Sequence, residues 1–181
     1  MGKDFFSIKG VFALRNCVFM GFLAAIAVLL GLYGTVYITA TFKAVSFSYL
    51  PGAVAAALFG PWAALAFGFV ADTVKFVANP QGAYHPGYAL SEMAHYFIYA
   101  CFFYKQRLTL WKPFAARLIV IITVFFGLNF LWQNMMMGSN AAAFFTGVRL
   151  INNFVQWPFH ALLTYFVCKY TVRLIRPMLT R

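Results

Sequence analysis

Long uncharged runs separated by short polar punctuation set the pattern of this chain. Cys17 to Tyr37 reads CVFMGFLAAIAVLLGLYGTVY and Leu118 to Trp132 reads LIVIITVFFGLNFLW, neither with a charged residue. A run of about 20 apolar residues crosses the hydrocarbon core of a bilayer as a helix. The pattern predicts six helices. The first covers about Cys17 to Tyr37, followed by ITATFKAVSFS (Ile38 to Ser48), a loop rich in Thr and Ser. The second runs from about Tyr49 to Phe59, with Pro51 in its first turn, where a missing amide hydrogen is tolerated. Gly60-Pro61 breaks the chain before a third helix, Trp62 to about Val77. ANPQGAYHPGY (Ala78 to Tyr88) is an ordered, turn-rich loop. A fourth helix covers Ala89 to Tyr104, and KQRLTLWK leads to a fifth, Pro113 to about Met137. GSNAAAFF is a short connection to the sixth, Thr146 to about Arg173. The second and third helices are short for full spans, which tilt or partial entry accommodates. No stretch reads as a soluble domain and no repeat is visible. Residues 1–181 therefore form a single membrane domain, with a basic lead at 1–15 and a tail at 174–181.

Composition agrees. The chain has 181 residues, 64% hydrophobic and 9% charged, whereas a water-facing domain carries roughly 25% charge. Its net charge of +11 raises nucleic acid as a partner, but the distribution of cations excludes that reading. Six helices put both termini on one side, and eleven of the fourteen Lys and Arg residues fall there: Lys3, Lys9, Arg15, Lys105, Arg107, Lys112, Arg117, Lys169, Arg173, Arg176 and Arg181. Cations collect on the cytoplasmic side, so both termini are expected to be cytoplasmic. The expected fold is an all-α membrane protein, a six-transmembrane-helix bundle. The first hydrophobic run is too long, and lacks the small-residue site, for a cleaved signal peptide. Cys17, Cys101 and Cys168 form no CxxC pair and read as small packing residues.

The remaining cations, Lys43, Lys75 and Arg149, gather at the opposite, outer face against the orienting rule. An ionisable residue in a membrane helix is a functional candidate, and Arg offers a planar fork that grips a carboxylate where Lys is a point charge. Snorkelling, or a pair with Asp72, is the alternative for Arg149. Asp72 and Lys75 are three residues apart and pair along one helical face. Trp132, Trp157, Phe47, Tyr49, Tyr84 and Tyr88 fall in or near the outer half, as an interfacial belt and core or as walls for a flat ring. His85 and His160 read as hydrogen-bonded packing residues. Glu92 and His95 have Glu-x-x-His spacing, but a di-metal helix site needs two such motifs. No GxxxxGK[ST] stretch is present, so ATP is not bound in a Walker fashion. Three acidic residues in total leave little acid–base chemistry, and an enzyme is not expected; a small membrane metalloenzyme using Glu92, His95 and Asp72 is the rival class.

Four passages carry a resemblance: FKAVSFSYLP before the second helix, LFGPWAALAFGFVADTVKF, NPQGAYHPGYALSEM, and Arg149-x-x-Asn152-Asn153 followed by Pro158. In this order they resemble the substrate-binding S components of energy-coupling factor (ECF) vitamin transporters, most closely the folate group. The resemblance implies a six-helix bundle in a bacterial plasma membrane that binds a vitamin from outside. It also implies partnership with a membrane coupling subunit and two ATPases, which use the ATP; no cofactor is implied in this chain. A small-x-x-x-small motif on the family's first helix packs on the coupling subunit, and Gly21 and Ala25 match it. Such residues let two helices approach closely. The implied site uses Arg149, with Lys75 or Lys43, for carboxylates. Asn152, Asn153 and Gln156 serve polar ring edges and Trp157 stacks. Phe47, Tyr84 and His85 complete the site, and Thr39 to Ser48 forms a lid. The family often has Lys where this chain has Asn152, so pantothenate or a thiamin-precursor pyrimidine stand as alternatives to folate.

Overall fold

The computed structural model describes residues 13–37, 43–80 and 84–179. The basic lead with Lys3 and Lys9, the end of the tail with Arg181, residues 39–42 of the expected lid and the side chain of Lys43 lie outside the described residues. Helix α1 (Leu14–Leu32) stops five residues earlier than the apolar run suggests. Tyr33 and Gly34 donate backbone hydrogen bonds to Leu29 and Leu30 carbonyls at 2.9 and 3.0 Å, closing the last turn. The next residues are Thr35 and Val36, whose branched side chains favour strands over helices. They open β1 (Thr35–Tyr37), which pairs antiparallel with β2 (Lys43–Ser46), Val36 opposite Val45. Part of what the composition marks as a Ser/Thr loop is therefore a strand.

Helix α2 (Leu50–Phe59) has ten residues. At about 1.5 Å per residue it is ~15 Å long, half the thickness of a hydrocarbon core of about 30 Å. It is buried along nearly its whole length, and Ala53, Ala55, Ala56 and Ala57 let neighbouring helices close around it. Gly60 ends it at φ 88°, a left-handed backbone that a side chain disfavours, and Pro61 starts α3 (Pro61–Ala78). Helix α4 (Pro86–Phe103) begins three residues before the expected start, because His85 caps it: its Nδ1 accepts from the Gly87 amide at 3.1 Å.

Helix α5 (Trp111–Met137) runs unbroken for 27 residues, but Ile121–Leu128 is a π-helix. Pro113, Arg117, Ile121, Phe125, Asn129 and Gln133 all turn inward, wholly or half buried. In a regular α-helix each step of four residues overshoots a 3.6-residue turn by about 40°. Five such steps would carry Gln133 to the opposite side from Pro113. The wider π turns absorb that drift. Gly138 breaks the chain, and α6 (Ser139–Leu179) extends for 41 residues. GSNAAAFF is thus helical from Ser139 onward, and α6 starts seven residues earlier than expected.

The core is centred on α2. Tyr49, Ala53 and Ala56 meet Tyr96, Tyr99 and Phe103 of α4, Val120 and Val124 of α5, and Cys168 of α6. Helices α1, α3 and α5 are long and apolar enough to cross a membrane. Their outer faces show Phe22, Leu29, Val70, Ile122 and Phe126 uncovered, a surface suited to lipid.

Candidate functional site

Polar groups converge where α4, α5 and α6 surround the start of α2. Arg117 sits in the second turn of α5 and is 3% exposed. The cation distribution assigns it to the cytoplasmic face, but its side chain lies in the bundle, leaving ten of the fourteen cations for that face. Its Nη2 donates to Asn153 Oδ1 at 2.9 Å, and its guanidinium lies over the rings of Tyr49 and Phe125 at 5.5 and 5.4 Å. It also interacts electrostatically with Tyr99, His95 and His160. The Tyr49 hydroxyl donates to the His160 carbonyl at 3.1 Å, and the two rings pack at 4.7 Å.

Several buried groups here have no hydrogen-bond partner: Arg117 Nε, the hydroxyls of Tyr96 and Tyr99, His95 Nε2, both ring nitrogens of His160 and, further along α5, Asn129 Oδ1. An unsatisfied buried polar group costs about 1–3 kcal/mol, and such groups are rare enough in proteins to need an explanation. They stand on α4, α5 and α6, the three helices that face one another here.

A second cluster lies on the α3 side. Lys75 interacts electrostatically with both Asp72 and Glu92. The expected Asp72–Lys75 pair is thus a three-way group spanning α3 and α4. His95 Nδ1 stands 3.7 Å from Glu92 Oε2, and its ring stacks on Tyr96 at 5.0 Å and 7°. Among the described residues no three His, Cys, Asp or Glu side chains gather as metal ligands. Toward the start of α4, Trp132 donates Nε1–H to Ser91 Oγ at 3.1 Å and packs against His85 at 5.5 Å.

The residues expected to form the site are only partly together. Asn153 joins Arg117, while its Nδ2 donates to the Arg149 carbonyl at 2.8 Å. Gln156 Nε2 donates to Asn152 Oδ1. Trp157 is occupied by α5: its Nε1 donates to the Phe114 carbonyl at 3.0 Å and its ring meets that of Phe114 edge-on at 5.6 Å. Arg149 is exposed and stands ten residues into α6, not at its start. His85 lies beside Trp132, and Tyr84, exposed, packs on Phe76 at 4.9 Å. Phe47 is half-buried beside the hairpin, its amide reaching the Gly34 carbonyl at 3.4 Å. Sequence reasoning missed Arg117, Tyr96, Tyr99, Asn129 and Gln133. A signal was present for Arg117, which interrupts the otherwise apolar stripe Pro113, Ala116, Val120, Ile121 and Val124.

A helical bundle with lipid-suited outer faces and polar groups buried between its helices is the architecture of a membrane protein. Comparison with known proteins narrows this class. The chain belongs to the family of ECF transporter substrate-specific components, whose model matches residues 15–168. It is accordingly a transport component and not an enzyme. The folate transporter FolT of Clostridium novyi (strain NT) is 29% identical over 130 residues, which cover 72% of this chain and 75% of that protein. The crystal structure of FolT bound with folic acid superimposes with a TM-score of 0.76 at 30% identity, covering 87% of this chain and 95% of that one.

Proposed function

We propose that this protein is the folate-binding S component of a bacterial ECF importer. The observation that carries the reading is the match, in sequence and in shape, to nearly the whole of a FolT that holds folic acid. In this reading the helices make six crossings of the plasma membrane with both termini cytoplasmic. Folate enters from outside, its ring meeting the unfilled groups between α4, α5 and α6. Arg149, with Lys75 or Lys43, takes the glutamate carboxylates, and Asn152, Asn153 and Gln156 supply hydrogen bonds. Phe47, Tyr84, His85 and Trp157 line the approach, and the hairpin segment closes over it. A coupling subunit docks on α1, and two partner ATPases spend the ATP.

Purified protein titrated with folic acid, pantothenate and the thiamin-precursor pyrimidine tests the ligand. Folic acid is expected to bind at least a hundredfold more tightly than the other two. Tighter binding of either competitor would refute the assignment.

A further inference from the structure

Among the described residues, Arg117 is a buried charge with no carboxylate within ion-pair distance. Of the three acidic residues in the chain, Asp4 is outside the described residues, Asp72 interacts electrostatically with Lys75, and Glu92 interacts with Lys75 and stands 3.7 Å from His95. What Arg117 has instead is a neutral amide oxygen from Asn153, the rings of Tyr49 and Phe125, and the Tyr99 hydroxyl beside it. Its Nε finds no hydrogen-bond acceptor, and the Tyr99 hydroxyl and the two ring nitrogens of His160, which interact with it electrostatically, make no well-formed hydrogen bond either. Burying a guanidinium costs several kcal/mol unless pairing compensates it, and Arg offers its donors in a fixed plane suited to two acceptors side by side.

We infer that Arg117 is a second, interior ligand anchor, which receives a planar pair of acceptor atoms between α4, α5 and α6. It is separate from Arg149, which is exposed on α6. The inference rests on the folate reading for its ligand. Folate carries such pairs of two kinds: the pterin O4 with N5, and the two oxygens of each glutamate carboxylate. Tyr99 and His160 stand ready to add a further hydrogen bond to the same group. Arg117 is then held in place by Asn153 while its remaining donors wait for the solute.

The test compares wild type with Arg117→Met, which keeps length and removes charge, and Arg117→Lys, which keeps charge and removes the fork. Titrants are folic acid, 6-methylpterin (ring alone) and 4-aminobenzoylglutamate (tail alone). Arg117→Met is expected to weaken folic acid by about tenfold to a hundredfold or more, with Arg117→Lys in between. Whichever fragment loses affinity with it identifies the acceptor pair as ring or carboxylate. The unfolding temperature without ligand should hold or rise in Arg117→Met, because an uncompensated charge has left the core. Unchanged folic acid affinity in Arg117→Met overturns the inference, as does a lowered ligand-free unfolding temperature with both fragments unaffected. If Arg117→Met does not fold, Arg117→Lys decides: a tenfold loss supports the anchor and unchanged affinity overturns it. If wild type binds no folic acid, the folate reading fails by itself. The ligand-free unfolding temperature of Arg117→Met then judges the anchor, a rise supporting it and a fall overturning it.

Discussion

The ring of Tyr96 occupies the space where a side chain on Gly52 would begin. A Cβ built on Gly52 would stand among the Cε1, Cζ and Cδ1 atoms of that ring. Tyr96 is fully buried, stacks on His95 and meets Phe67 edge-on at 5.4 Å, so it has nowhere to retreat. Helix α2 can approach α4 this closely because position 52 has no side chain. Gly52→Ala is therefore expected to destabilise the protein by about 1–3 kcal/mol, the usual cost of overpacking. Thermal unfolding of the purified protein measures it. In Gly52→Ala/Tyr96→Leu, where the ring is gone, the alanine should cost much less than it does alone. An equal cost in both backgrounds would mean that the two residues do not compete for space.

Arg149 should matter for charge on the ligand. With a charge-assisted bond worth about 1.5–3 kcal/mol, Arg149→Ala should weaken folic acid by about tenfold to a hundredfold, and Arg149→Lys by less, since the fork is lost and the charge kept. Pterin lacking the glutamate tail is the control, and Arg149→Ala should leave its affinity nearly unchanged. Equal losses for both ligands would make Arg149 a structural residue.

Partner assembly should depend on α1. Gly21 and Ala25 are exposed on one face of that helix, between Val18, Phe22 and Leu29, and nothing lies within 4 Å of a Cβ built on Gly21. Ala25→Trp is expected to lower co-purification of the coupling subunit severalfold while leaving folic acid titration of the isolated protein unaltered. The reverse outcome, lost folate binding with normal assembly, would refute the role of this face.

Sidedness follows from the cations that remain after Arg117 moves inside. Single cysteines at Thr109, between α4 and α5, and at Asn79, after α3, should react with an impermeant maleimide from opposite sides of the membrane. The background must lack Cys17, Cys101 and Cys168. Reaction of both from the same side would rule out six crossings.

Much of this fold was legible because glycine and proline announce themselves. Gly60-Pro61 and the Pro51 start fixed α2 and α3 to within a residue or two, and the uncharged runs located α1 and α5. The misses have a common cause. Apolar content continues past Leu32 to Tyr37, so hydropathy could not show where helix gave way to hairpin. Ser139 and Asn140 resemble a turn, though the break belongs to Gly138 and the three alanines beyond favour helix. Arg117 was placed by counting charges along the chain, a rule that assigns loops to sides and does not register which way a helical side chain points. Buried polar contacts join α4 to α5 and α5 to α6 across gaps of 41 residues (Ser91 to Trp132) and 36 residues (Arg117 to Asn153), and no local pattern encodes such pairings.

The π-helix in α5 bears on how such a site can arise. A π turn amounts to a residue or so more than the α-helix it replaces, and π segments often mark functional positions. Ahead of Ile121 the helix aims Arg117 inward; beyond Leu128 it aims Asn129 and Gln133 inward too, where an unbroken α-helix would present other side chains. A small insertion in an ancestral gene can thus re-aim half of a helix without altering one residue elsewhere. Residues matched across relatives will fall out of step beyond this point wherever a homologue has a regular helix here. The solute such a homologue prefers can then differ even though its written sequence stays close.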